Sequence, residues 1–148
     1  MAEKINILFV CRYNRFRSRI AEAYFNKINK NKNIKAKSTG LIQGFSLNPE
    51  TIRIAKELEL NINGRIQGLS SKLLAWQNII VIVADDVPRA VFNKKNKYSK
   101  KVIIFNIKDA KSVKKEEIKR LIWQIMKKVD GLNNALERKN GIWNSKRF

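Results

Sequence analysis

Apolar positions along this chain fall into two alternating patterns. Ile5 to Val10 is almost continuously apolar, as expected of a strand covered on both faces. From Ser18 onward, Ile20, Ala21, Tyr24, Phe25 and Ile28 recur at three- and four-residue spacing and predict a helix with one buried face. Asn29 to Asn33 is a polar break, after which Ile34-Lys35-Ala36-Lys37-Ser38 alternates as a more exposed strand does, ended by Gly40. Asn48-Pro49-Glu50 predicts a helix start, with asparagine as the cap and proline at the first helical position; Ile52, Ala55 and Leu58 supply an apolar face.

Gly64 and Gly68 mark a loop, and a short helix around Ser70 to Trp76 leads into Ile79 to Ala84, the most strongly buried-looking strand. A one- or two-turn helix is expected over Pro88 to Phe92, a basic loop over Asn93 to Lys101, and a last strand at Val102-Ile103-Ile104-Phe105. The closing helix runs from about Val113 to Leu136, with Ile118, Leu121, Ile122, Ile125, Met126, Val129 and Leu132 as its stripe. This order predicts a three-layer α/β/α fold with a small four-stranded, mostly parallel sheet, in a single domain over residues 1–148. Loops after the strands would share one sheet edge, where ligands of such folds bind.

Composition narrows the chemistry. The 148 residues include no histidine and one cysteine, which excludes His-metal sites, Ser-His-Asp triads, Cys-His pairs, thiolate zinc sites and internal disulfides. The formal charge of +20 favours anionic partners; nucleic-acid contact stays open, but the basic residues are spread as on a solvated surface. No stretch approaches the ~20 apolar residues of a membrane span. Arginines follow Ile5 to Val10 where a signal peptide would be cleaved, and an unpaired cysteine suits a reducing compartment, so the expected location is the cytoplasm.

The candidate chemistry is concentrated in Cys11-Arg12-Tyr13-Asn14-Arg15-Phe16-Arg17-Ser18, between the first strand and the first helix. Five residues between cysteine and arginine can wrap a tetrahedral oxyanion with backbone N–H groups, and the helix adds free N–H groups and the positive end of its dipole. Arg17 can hold two oxygens at once, and the same field favours a thiolate at Cys11, poised behind the anion. Ser18 either donates to that thiolate or caps the helix. Asn14 tolerates unusual backbone angles and can hold the curve. Arg12 and Arg15 face outward to draw anions in, and Phe16 packs.

Ile7-Leu8-Phe9-Val10-Cys11, then Asn14, then Arg17-Ser18-Arg19-Ile20-Ala21-Glu22 resembles the signature of low-molecular-weight protein tyrosine phosphatases, which share fold and loop with thiol-dependent arsenate reductases. Ser38-Thr39-Gly40, Asn48-Pro49-Glu50 and Val83-Ala84-Asp85-Asp86 fall in the family's order, so the resemblance covers nearly the whole chain. It implies hydrolysis of phosphotyrosine or small aryl phosphates through a phosphocysteine, with no metal or other cofactor. The implied partners are a phosphorylated protein or aryl phosphate, with inorganic phosphate as product. A non-enzymatic phosphate or nucleic-acid binder on the same fold is the alternative. An arsenate reductase would need an external thiol, because no cysteine follows Cys11.

Expelling the leaving oxygen requires a proton donor. Of the four aspartates, Asp85, Asp86 and Asp109 follow strands on the ligand edge, whereas Asp130 lies in the closing helix and is read as solvent-facing. The resemblance points to Asp109, where Ala110 replaces the family's proline. Two further departures concern the pocket wall. Lys111-Ser112-Val113 stands where aromatic residues commonly follow the acid, and the loop after Gly40 lacks the usual tryptophan, leaving Tyr13 and Phe45 as substitute surfaces.

Overall fold

The computed structural model describes residues 3–92 and 101–138. Four strands, β1 (Ile5–Cys11), β2 (Ile34–Gly40), β3 (Ile79–Ala84) and β4 (Lys101–Ile107), form one parallel sheet in the order β2-β1-β3-β4. The helices are α1 (Arg17–Ile28), α2 (Pro49–Glu57), α3 (Ser71–Trp76) and α4 (Lys115–Arg138), with a 3-10 turn at Arg89–Phe92. These elements make the expected three-layer α/β/α architecture. The basic stretch expected after Phe92 falls outside the described residues from 93 to 100.

Strand parity sorts the core into two halves. Ile7, Phe9, Val81, Val83, Ile103 and Phe105 point toward α1, α2 and α4, where Phe25, Ile54, Leu121, Ile122 and Ile125 meet them. Leu8, Val10, Ile80 and Ile82 point the other way, onto Leu73 of α3 and Val87. This explains the unbroken apolar runs of β1 and β3: both are central strands, and each fully buried aliphatic side chain contributes about 1.5–3 kcal/mol. β2 is an edge strand whose exposed positions are Lys35 and Lys37, charges that discourage pairing with another chain.

The helix signals held, with two adjustments. Asn48 caps α2 by accepting from the Glu50 N–H at 2.8 Å, with Pro49 first in the helix. Its buried face centres on Thr51, Ile54 and Ala55, while Ile52 and Leu58 sit at the margin. Asp130 corrects the expectation of a solvent-facing carboxylate: it is half-buried and accepts from the Tyr24 hydroxyl at 2.6 Å, tying α4 to α1.

Burial and the Asp130 acceptor together push the Tyr24 phenol up from 10.0 to about 12. The unfolded chain loses that proton first, so the bond's stabilisation is complete below pH ~10 and is lost as pH rises toward 12. Phenolate absorbance at 295 nm should show one tyrosine titrating late, and the step should vanish in Tyr24→Phe.

Candidate active site

The order β2-β1-β3 puts the chain's reversal of direction across the sheet beside the carboxyl end of β1, and there the loop from Cys11 to Arg17 lies. Gly40 stands opposite Cys11 in the β1–β2 register. A Cβ at Gly40 would lie 2.6 Å from the Tyr13 carbonyl carbon and 2.7 Å from the Asn14 nitrogen, so only glycine lets the loop approach β2 this closely. The carbonyls of Cys11, Arg12 and Tyr13 turn outward and accept from the N–H groups of Leu41, Ile42 and Gly44 at 2.8, 3.0 and 3.2 Å. Among the described residues, no protein group accepts from the backbone N–H groups of Arg12 to Phe16. Those donors, with the start of α1, are available to an anion. No side chain caps α1 and no acidic residue stands in its first turn, so its positive end is uncompensated.

Cys11 lines a cavity of about 300 Å³ together with Tyr13, Arg15, Arg17, Asn48, Asp109 and Val113. Cys11 is buried, with its Sγ 3.0 Å from the Ser18 Oγ. Ser18 therefore serves the sulfur; the cap position belongs to Phe16, which makes no side-chain capping bond. Phe16 packs into the core as expected. Asn14 adopts φ 56° and is fully buried. Its amide donates to Ser18 Oγ at 2.8 Å and Ser38 Oγ at 3.0 Å, while its carbonyl accepts from the Gln67 N–H at 2.9 Å and Arg19 Nη1 at 3.1 Å. Ser38 in turn donates to Glu22 at 2.5 Å. Burial raises the Glu22 carboxyl, against the pull of the Ser38 hydroxyl and of the Arg19 and Lys37 charges.

Arg17 is 3% exposed and points at three carboxylates. Its Nη2 meets Asp86 at 3.0 Å and approaches Asp109 at 3.8 Å, while its Nη1 donates to the Ile107 carbonyl at 3.0 Å and lies 3.5 Å from Asp85. Asp86 also faces Arg12 at 3.9 Å. All three candidate acids reach the Arg17 guanidinium; of them Asp109 alone also borders the cavity, with its side chain 58% exposed. Arg12 is exposed as expected; Arg15 borders the cavity and is tethered through Nε to the Ser46 carbonyl at 2.6 Å.

Tyr13 lines the cavity, but Phe45 does not. It is fully exposed and borders a separate surface hollow with Gln43 and Arg65, which corrects the expectation that it frames the pocket. Asn48, Thr51 and Val113 supply wall surface instead. The residues missed from sequence are Arg19, Ser38 and Gln67, which brace the loop from behind. Ser38 and Arg19 both fall in runs that carry the family resemblance, which assigned them no role; Gln67 carries no local signal. Among the described residues no group of three His, Cys, Asp or Glu side chains could hold a metal ion, and no helix is long and apolar enough to cross a membrane.

Residues 6–140 match the family model described as low molecular weight phosphotyrosine protein phosphatase. No curated protein matches the chain by sequence. Among solved structures it is similar to the low molecular weight protein tyrosine phosphatase from T. tengcongensis, at 24% identity over 88% of this chain and 99% of that one, with a TM-score of 0.76. It is also similar to the YwlE arginine phosphatase from Geobacillus stearothermophilus, at 18% identity over 91% and 94% of the two chains, TM-score 0.76. The arsenate reductase from Archaeoglobus fulgidus matches at 23% identity over 86% and 98%, TM-score 0.68. Identities this low establish a shared fold alone.

Proposed function

The chain belongs to the low molecular weight phosphotyrosine protein phosphatase family, and from that premise we propose that it hydrolyses phosphotyrosine or small aryl phosphates, with Cys11 as nucleophile, Arg17 as oxyanion clamp and Asp109 as general acid and base. One observation carries this reading: sulfur, guanidinium and an accessible carboxylate border the same 300 Å³ cavity at the start of an uncapped helix.

Phosphate enters against the loop N–H groups and the Arg17 fork, which match the equatorial oxygens better as charge spreads over them in the transition state. The Cys11 thiolate forms an S–P bond as the P–O bond to the leaving group breaks, and Asp109 delivers its proton to the departing oxygen. Ser18, 3.0 Å from the sulfur, stabilises it as nucleophile and again as leaving group. In the second half, the Asp109 carboxylate takes a proton from water as the water oxygen bonds to phosphorus and the S–P bond breaks. Inorganic phosphate and the thiolate result. The chemistry requires reduced sulfur, consistent with work in the cytoplasm.

Aryl preference rests on Tyr13 and Val113, which line the cavity. Arsenate reduction is disfavoured because the 148 residues hold no second cysteine to resolve an adduct. The test is a pH–rate comparison of wild type and Asp109→Asn on p-nitrophenyl phosphate and on phenyl phosphate. A working acid matters most for the poorer leaving group. The substitution should therefore lower kcat on phenyl phosphate by roughly 10²–10⁴-fold, lower it less on p-nitrophenyl phosphate, and alter the pH profile. Identical rates and profiles for the two proteins would remove Asp109 from the mechanism, and no turnover by either would leave an oxyanion-binding protein.

A further inference from the structure

We propose that Arg19 is a positioning residue of the phosphate-binding loop: from behind the loop, its guanidinium fixes the Asn14 side chain, and through Asn14 and Ser18 it sets the sulfur of Cys11. This deepens the phosphatase reading and rests on Cys11 being its nucleophile.

Arg19 stands in the first turn of α1 but turns away from the cavity that holds Arg17. Its side chain is buried, and each recorded bond has a positional purpose. Nε donates to the Ile62 carbonyl at 2.7 Å, and Nη1 donates to the Arg65 carbonyl at 3.0 Å and to Asn14 Oδ1 at 3.1 Å. Two backbone carbonyls from the irregular segment between α2 and α3 thus hold the fork still while one nitrogen grips Asn14.

That grip falls where the backbone turns left-handed. Asn14 has φ 56°, a left-handed conformation that asparagine adopts more readily than most residues. The carbonyl end of the Asn14 side chain is held by Arg19 and the Gln67 N–H, which leaves the amide end aimed at Ser18 and Ser38. Ser18 is the group that meets the sulfur. The route from Arg19 to Cys11 is therefore two side chains long.

Two further observations bear on the assignment. Gly64 has φ 151°, a backbone conformation that favours glycine, and a Cβ there would lie 2.9 Å from Arg19 Nη2, so the same glycine leaves the guanidinium room. Burial draws the Arg19 guanidinium below its ordinary value, against the pull of the nearby Glu22 and Cys11 charges.

The experiment compares wild type with Arg19→Gln and Arg19→Lys at 25 °C. It measures kcat and KM on p-nitrophenyl phosphate, the rate of Cys11 alkylation by iodoacetate, and the thermal midpoint. With a single cysteine in the chain, alkylation reports Cys11 alone. Arg19→Gln is expected to lower kcat and the alkylation rate together by roughly 10–100-fold, the scale for a small misplacement of a reacting group, with a smaller change in KM. Arg19→Lys keeps the charge without the planar fork and should fall between the two. A folded Arg19→Gln protein with kcat and alkylation within twofold of wild type would overturn the proposal, however low its thermal midpoint. If Arg19→Gln does not fold, Arg19→Lys decides: a fivefold or greater loss of both rates supports the proposal, and wild-type rates overturn it. Alkylation needs no turnover, so it tests Arg19 even if wild type hydrolyses nothing; that second result would count against the phosphatase reading alone.

Discussion

Cys11→Ser is expected to abolish turnover of p-nitrophenyl phosphate while leaving the fold and inorganic phosphate binding in place. The loss should be at least roughly 10⁴-fold in kcat, the scale for removing a covalent nucleophile. A serine hydroxyl at this position would need a base to lose its proton, and the chain contains no histidine to act as one. The hydroxyl beside it, Ser18, stabilises an anion but cannot create one. The groups that seat the phosphate are otherwise untouched: the loop N–H donors, the α1 terminus and Arg17. Phosphate affinity by calorimetry should therefore stay within a few-fold of wild type. Retained hydrolysis in the serine protein would mean that the sulfur does not carry the reaction.

Arg17→Lys should lower kcat on aryl phosphates by roughly 10²–10³-fold, the scale for losing an oxyanion donor, and should weaken inhibition by phosphate. A lysine keeps the charge but loses the planar fork that meets two oxygens together. The same change removes one of the two donors to the Ile107 carbonyl, which keeps the Asp85 N–H at 2.9 Å, and loosens Asp86, so the thermal midpoint should fall modestly as well. Steady-state kinetics and thermal melting separate the two effects. Wild-type kcat in a folded Arg17→Lys protein would exclude bidentate holding of the substrate.

The boundary between what could be read beforehand and what could not follows sequence separation. β1, the loop and α1 are contiguous, so the pattern of residues 5 to 28 already contained a sulfur at a strand end, a curve and a following helix, with Ser18 left open as its cap. Asn48-Pro49 announced α2 for the same local reason. Asp85 and Asp86 were open as proton donors because a strand-ending acid looks alike whether it faces ligand or arginine; pairing with Arg17 spans 69 residues in the case of Asp86. Arg19 was missed because its partners Ile62 and Arg65 are backbone carbonyls 43 and 46 residues away, and every residue offers a carbonyl. Phe45 and Asp130 were misplaced for the opposite reason. Phe45 was expected to stand in for the tryptophan the loop lacks, and a carboxylate in a helix to meet water, but full exposure of the ring and the hydroxyl of Tyr24 decided otherwise.

The contact between Arg17 and the Ile107 carbonyl joins residues 90 positions apart. A ribosome releases the chain from its amino end, so Cys11 emerges long before the strand that steadies its arginine. β1 also waits for β3, its second neighbour in the sheet, and parallel pairing of this kind is slow because distant segments must first meet. The full set of contacts around Arg17 is thus completed late in biogenesis, once β4 has emerged to join the sheet.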